Sequence, residues 1–180
     1  MSRWVCETWD FYSRQTFPTL MTTAPKSQIT SDNDAIVVEI QISAPRERVF
    51  QALTDQRELF RWFTDASCPV KLWEMDARLG GRYRYLTEAG TYSVNGVSEF
   101  ECHGEILEFK PPRLLVYTWE ANWHAGKFPR TSVRWELSPV AGGTLVKVTH
   151  SGLAQEAVAR KDYSSGWPGV MEKLKDFAES

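Results

Sequence analysis

Residues 69–151 leave the chain little choice of architecture. They read as about six successive segments in which apolar and polar side chains alternate with a period of two, as half-buried strands do. PVKLWEMDARLGGRYRYL divides into two such segments around Gly80-Gly81, a pair free enough in φ for a tight turn or a bulge. Phe100, Cys102, Gly104 and Ile106 then share one face, with Glu99, Glu101, His103 and Glu105 on the other. In ILEFKPPRLLVYTWE, two strand-like stretches flank Pro111 and Pro112, which have no N–H to give a ladder and therefore belong in a turn. TSVRWELS puts Val133, Trp135 and Leu137 on one side. After Ala141-Gly142-Gly143, TLVKVTH does the same with Val146, Val148 and His150. Antiparallel strands with one apolar face must cover that face with another element.

The flanking segments supply the cover. AIVVEIQIS is one more alternating strand, with Ile36, Val38, Ile40 and Ile42 on one face. In SAPRERVFQALTD, Pro45 suits the first turn of a helix, and Val49, Phe50 and Leu53 give it a buried stripe. Asp55 and Glu58 have the spacing of a capping pair, restarting a second short helix through Leu59, Trp62 and Phe63. At the far end LAQEAVARK reads as a short helix. YSSGWPGVMEKLKDFAES then repeats Trp167, Val170, Met171, Leu174 and Phe177 at the spacing of one helix face. Ser164 or Ser165 is its expected cap, because Pro168 fits only a first turn. The predicted class is α+β: a curved antiparallel sheet of about seven strands wrapped on a long C-terminal helix, with two short helices after the first strand. Residues 35–180 form this domain. Residues 1–34 stand apart, because TTAPKSQITSDND is polar and turn-forming and WVCETWDFYSRQTF has no clean period. They read as a disordered N-terminal extension. The residues leave open whether Met21 is the true start or the extension is a short docking segment.

A chain of 180 residues suits one such domain and a tail. Charge is nearly balanced, with 21 Lys and Arg against 23 Asp and Glu and no basic stripe, which argues against a nucleic-acid partner. Three cysteines, Cys6, Cys68 and Cys102, with no CxxC spacing, signal neither a disulfide framework nor a zinc site. No apolar run approaches the ~18 residues of a membrane span. Met1–Leu20 carries charges where a secretory signal has an apolar core. The cytoplasm is the expected location.

Five stretches, ISAPRERVFQALTD, LGGRYRY, GEILEFKPPRLLVYTW, GTLVKVTHSGL and GWPGVMEKL, resemble in order the START-like, helix-grip superfamily (SRPBCC). Within it they are similar to the group related to the activator of heat shock protein 90 ATPase, across residues 36–178. The resemblance implies a deep apolar cavity between sheet and helix, used in the superfamily for lipids, polyketides and other hydrophobic ligands. Some members bind a chaperone instead. One fold hosts many activities, so the resemblance bears more on architecture than on function.

The residues themselves offer no catalytic constellation: HxxxH, HExxH, GxSxG and P-loop spacings are absent. Of the three histidines, His103 alternates onto the solvated face, where Glu99, Glu101 and Glu105 read as a charged strand and not as an acid–base pair. His124, in the loop NWHAGKFPR, reads as a surface residue. His150 shares a face with Val146 and Val148, so an inward imidazole either serves the hollow or bonds a backbone carbonyl at the strand end. No metal, cofactor or catalytic residue is expected. Candidate ligand-binding residues are Trp62 and Phe63 ending the second helix, and Trp73, Tyr83 and Tyr85 in the first hairpin. Trp119, Trp135 and His150 on later strands join them, with Trp167 and Met171 on the terminal helix. Such rings either fill the space or line a pocket of about 300–1,000 Å³. The leading expectation is a carrier or sensor of a small hydrophobic molecule. One alternative is a chaperone-associated module acting on heat shock protein 90 ATPase through the acidic strand at 99–105 and the loop at 121–130. The other is a cyclase- or hydrolase-type enzyme using His150 with a tyrosine.

Overall fold

The computed structural model describes residues 24–124 and 129–180. Among them the chain forms β1 (Gln28–Ile29), β2 (Ile36–Ile42), α1 (Arg46–Thr54), α2 (Gln56–Trp62), β3 (Val70–Met75) and β4 (Arg82–Thr87). β5 (Glu101–Lys110), β6 (Leu114–Ala121), β7 (Arg130–Val140), β8 (Gly143–Ser151) and α3 (Ala157–Glu179) follow. The strands make one antiparallel sheet in the order β1-β2-β8-β7-β6-β5-β4-β3. From β4 to β8 each strand pairs with its predecessor, while β2 crosses to the last strand with Ile36 opposite His150 and Ile42 opposite Thr144. The helices α1 and α2 carry the chain from β2 to the far edge, where β3 lies.

Alternation holds as the sequence predicts. Ile36, Val38, Ile40 and Ile42 are buried on β2, Val133, Trp135 and Leu137 on β7, and Val146, Val148 and His150 on β8. Pro111 and Pro112 sit in the turn between β5 and β6, closed by the Arg113 N–H donating to the Lys110 carbonyl at 2.9 Å. Register shifts between Val70 and Leu72 and between Ile106 and Glu108 bend the sheet towards its helix-bearing face. Gly104 is required where β5 lies close against β6. A Cβ there would lie 2.0 Å from the Thr118 carbonyl oxygen and 2.7 Å from the Tyr83 ring, which crosses the gap to donate its hydroxyl proton to that same carbonyl at 2.8 Å.

The Asp55 side chain caps α2, accepting from the N–H groups of Arg57 at 2.8 Å and Glu58 at 3.4 Å. Glu58 does not return the bond as a capping box would, because its carboxylate is held by Arg48 at 2.6 Å. α3 packs on β2 and α1, and α2 packs on β3.

Two expectations need correction. LAQEAVARK and the terminal helix are one element: α3 runs unbroken from Ala157 to Glu179 with Pro168 inside it, so neither Ser164 nor Ser165 is a cap. Pro168 removes the bond to the Ser164 carbonyl, at a cost of about 3 kcal/mol. A continuous buried face, Ala159, Tyr163, Trp167, Met171, Leu174 and Ala178, holds the helix together across it. Order also begins earlier than residue 35. Gln28 and Ile29 pair with Val37 and Ile36, and the bend between them is closed by the Thr30 N–H on the Ala35 carbonyl at 2.9 Å. The polar, turn-forming residues that look like a linker are there the tip of a hairpin, with Asn33 at φ 58°. Residues 1–23, including Met21 and WVCETWDFYSRQTF, lie outside the described residues.

Candidate ligand-binding site

A cavity of about 430 Å³ lies between α3 and the inner face of β4–β6. Tyr85 of β4 and Trp119 of β6 form its floor. Phe63, Asp65 and Cys68 border it from the segment between α2 and β3, and Tyr92, Phe100 and Trp123 from the loops beside β5 and β6. α3 supplies the remaining wall with Asp162, Tyr163, Gly166, Trp167 and Lys173 among others. Gly166 lies exposed at the mouth of the cavity, and a Cβ built on it would meet nothing within 4 Å, so no side chain covers the opening there. Around it the rings meet edge to face: Phe100 and Trp123 at 5.1 Å, Trp119 and Trp123 at 6.1 Å, Trp119 and Tyr163 at 6.3 Å.

Polar groups in and behind this wall form two directional chains. Indole can only donate, so the Trp167 Nε1–H on His150 Nδ1 (3.3 Å) fixes that nitrogen as an acceptor. His150 then carries its proton on Nε2 and donates to Thr131 Oγ1 at 2.8 Å, which in turn donates to the Trp119 carbonyl at 2.8 Å. Burial keeps this imidazole neutral, with its pKa pulled down to about 3. In the second chain Trp119 Nε1–H donates to the Tyr163 oxygen at 2.8 Å. The Tyr163 hydroxyl lies 2.6 Å from His124 Nε2, to which it can donate, and His124 Nδ1 is 3.8 Å from the Glu156 carboxylate. Burial lowers the His124 pKa as well, against the Glu156 charge, and raises that of Tyr163.

The rim is charged. Lys173 Nζ is held by Asp65 at 2.6 Å and lies 3.4 Å from the Thr64 carbonyl, and this bond keeps the Asp65 carboxyl well below the usual range. Across from it Asp162 accepts a hydrogen bond from the Tyr92 hydroxyl. That bond, before burial, pushes the Tyr92 pKa up to about 12. Desolvation raises the Asp162 pKa more than the Tyr92 bond lowers it.

Of the ten candidates, the fold brings Phe63, Tyr85, Trp119 and Trp167 to the cavity. Trp62, Trp73, Tyr83 and Trp135 point inward too, but they close on a void of about 10 Å³, no larger than one water needs. There the Trp62 Nε1–H donates to the Ala52 carbonyl at 2.9 Å and Trp135 Nε1–H to the Tyr117 hydroxyl at 2.9 Å. His150 and Met171 are fully buried behind the wall. With both ring nitrogens engaged, His150 has none left for a reactant. His124 is corrected: it is a buried residue, 5% exposed, because the Tyr163 hydroxyl and the Trp123 ring cover it. Tyr163 was legible in principle, standing four residues before Trp167 and four after Ala159 on one helix face, but only if α3 is read as continuous. Trp123, Tyr92 and Asp162 carry no periodic signal. Among the described residues no group of three or more His, Cys, Asp and Glu is placed to hold a metal ion, and no helix is long and apolar enough to cross a membrane.

An antiparallel sheet curled on one C-terminal helix, with two short helices between its first strands and a hollow beneath, is the helix-grip fold of START-like proteins. The chain belongs to the family described as Activator of Hsp90 ATPase homolog 1-like protein, which matches residues 43–179. Among solved structures it is similar to protein CV1439 from Chromobacterium violaceum, with 26% identity, covering 82% of this chain and 99% of that one at a TM-score of 0.69. Protein MLL2253 from Mesorhizobium loti is similar with 27% identity, 79% and 95% coverage and a TM-score of 0.60. The AHSA1-like protein from Aeromonas hydrophila shares the fold at 21% identity, with 81% and 92% coverage and a TM-score of 0.62. No curated protein matches the chain.

Proposed function

We propose that this domain binds a small, largely apolar molecule between the sheet and α3, as a carrier or sensor. The observation that carries the reading is the unfilled space of about 430 Å³ beside Gly166, walled by aromatic rings. That volume falls in the range of small-molecule sites, which are apolar hollows with a few placed polar groups. The chaperone alternative has less to stand on. Two of the three glutamates on the acidic face it needs are paired with cations, Glu101 with Arg84 at 3.1 Å and Glu99 with Lys71 at 3.7 Å.

Gly166→Leu tests the reading, because it opposes fold and site. Leucine favours a helix over glycine by up to about 1 kcal/mol, so the variant is expected to be as stable or more so. Its side chain is expected to extend over the mouth of the cavity, which Gly166 lines. Nile red, a neutral dye, is expected to bind the unsubstituted protein with a blue-shifted emission and to lose most of its affinity for the variant. Saturation at about 100 times Kd is expected to stabilise the fold by roughly 2.7 kcal/mol. Absence of binding by Nile red and by a broad panel of apolar probes, or equal binding by both proteins, removes the proposal.

A further inference from the structure

Resting on the cavity reading above, we infer that the ligand is an apolar molecule carrying an ammonium group, and that Asp162 receives that group. Among the described residues the charges on the cavity wall are Asp65, Lys173 and Asp162. Two of them cancel: the Lys173 ammonium is taken by Asp65 at 2.6 Å, with the Thr64 carbonyl at 3.4 Å. Asp162 is left over. Its carboxylate accepts only the neutral hydroxyl of Tyr92, and among the described residues no Lys, Arg or His nitrogen lies within ion-pairing distance of it. The neighbouring Arg160 is committed to the carbonyls of Asn33, Leu153 and Ala154, between 2.8 and 3.1 Å. Among the described residues the site therefore presents one uncompensated negative charge at the edge of an apolar hollow.

The walls beside it suit the same cation. Tyr92, which bonds Asp162, also stands 6.1 Å from Phe100, and Phe100 stands 5.1 Å from Trp123. Trp123 and Tyr163 are 6.1 Å apart. The faces of such rings carry negative potential and attract ammonium groups within about 6 Å, tryptophan most strongly. A carboxylate with no cation and a box of aromatic rings are separate features, and both select for positive charge on an otherwise apolar body. An anionic ligand would meet Asp162 and find the Lys173 charge already spent.

The experiment is a matched set, 2-naphthylmethylamine, 2-naphthylmethanol and 2-naphthoate, titrated calorimetrically into the full chain and into D162N at neutral pH. The amine is expected to bind the unsubstituted protein roughly ten- to hundredfold tighter than the alcohol, as a charge-assisted hydrogen bond gives. The naphthoate is expected to be weakest, and D162N is expected to cut the preference for the amine to the few-fold that the rings alone give. Equal binding of amine and alcohol overturns the inference while leaving the cavity reading standing. Tightest binding of the naphthoate overturns it too, and so does a preference for the amine that is undiminished in D162N. Binding of none of the three, in a protein that also ignores Nile red, overturns both readings. The comparison within the unsubstituted protein decides the matter even if D162N folds poorly.

Discussion

His150 makes the stability of this fold depend on pH in a calculable way. Both ring nitrogens are committed: Nδ1 accepts from Trp167 and Nε2 donates to Thr131. A second proton would have to sit on Nδ1, facing the indole N–H. The Tyr163 ring lies 4.4 Å away and the Trp119 ring 6.0 Å, and His124 is the charge that further disfavours protonation. With a folded pKa of about 3, the imidazole stays neutral at pH 5, whereas in the unfolded chain its pKa is about 6.5. The unfolded state then binds the extra proton, so stability falls as pH drops below about 6.5, by roughly 2 kcal/mol between pH 7 and pH 5. Carboxylates such as Asp65 act in the same direction but only below about pH 4. His150→Gln removes the titration. It also strips the Trp167 N–H of its acceptor, which is expected to cost about 1–3 kcal/mol at pH 7. Urea unfolding followed by tryptophan fluorescence at pH 7 and pH 5 reads both effects. The variant's deficit at pH 7 is expected to shrink by about 2 kcal/mol at pH 5, since only the unsubstituted protein loses the His150 contribution. A deficit that is the same at both pH values would refute the buried, neutral imidazole.

Two further substitutions probe the frame around the cavity. Tyr163→Phe deletes one hydroxyl yet leaves both Trp119 Nε1 and His124 Nε2 without a partner; unfolding free energy, read by urea unfolding, is expected to fall by about 2–6 kcal/mol, from about 1–3 for each orphaned group. Gly104→Ala puts a methyl group 2.0 Å from the Thr118 carbonyl oxygen; the strain is expected to cost about 1–3 kcal/mol, read by urea unfolding, and an unchanged stability would mean that β5 and β6 do not approach as closely as described.

The strands were legible because their periodicity is a property of the backbone. Once Ile36, Val38, Ile40 and Ile42 point one way, alternation admits no other arrangement, and the same holds for Val133, Trp135 and Leu137. Inward direction, however, does not distinguish a ring that fills space from one that borders it. Trp135 and Trp119 both point inward on neighbouring strands, four residues apart in register; one closes against Trp167 at 5.5 Å, the other lines the cavity. That difference is set by what α3 carries opposite each ring. His124 escaped for another reason. Its burial comes from Trp123 and Tyr163, the second of which is far along the chain, and a loop has no period to reveal it.

The break read into the terminal helix falls on the cavity wall. Ser164, Ser165, Gly166, Pro168 and Gly169 are poor helix formers, and a proline with two glycines disfavours helix by about 5 kcal/mol relative to alanine. Sequence reasoning accordingly ended one helix there and began another. In the structure that stretch is helical, held by Tyr163 and Trp167 on one side and by Met171 and Leu174 beyond it. Ser165 and Gly166 face the hollow, and Asp162 stands one turn before Gly166 at its rim. Larger residues with better helix propensity would suit α3 as a helix but would crowd the mouth of the cavity. The local preference and the tertiary arrangement conflict at one place only along α3, and that place is the proposed site. Such conflicts persist where surrounding contacts compensate them, which is why Gly166→Leu is expected to move stability and binding in opposite directions.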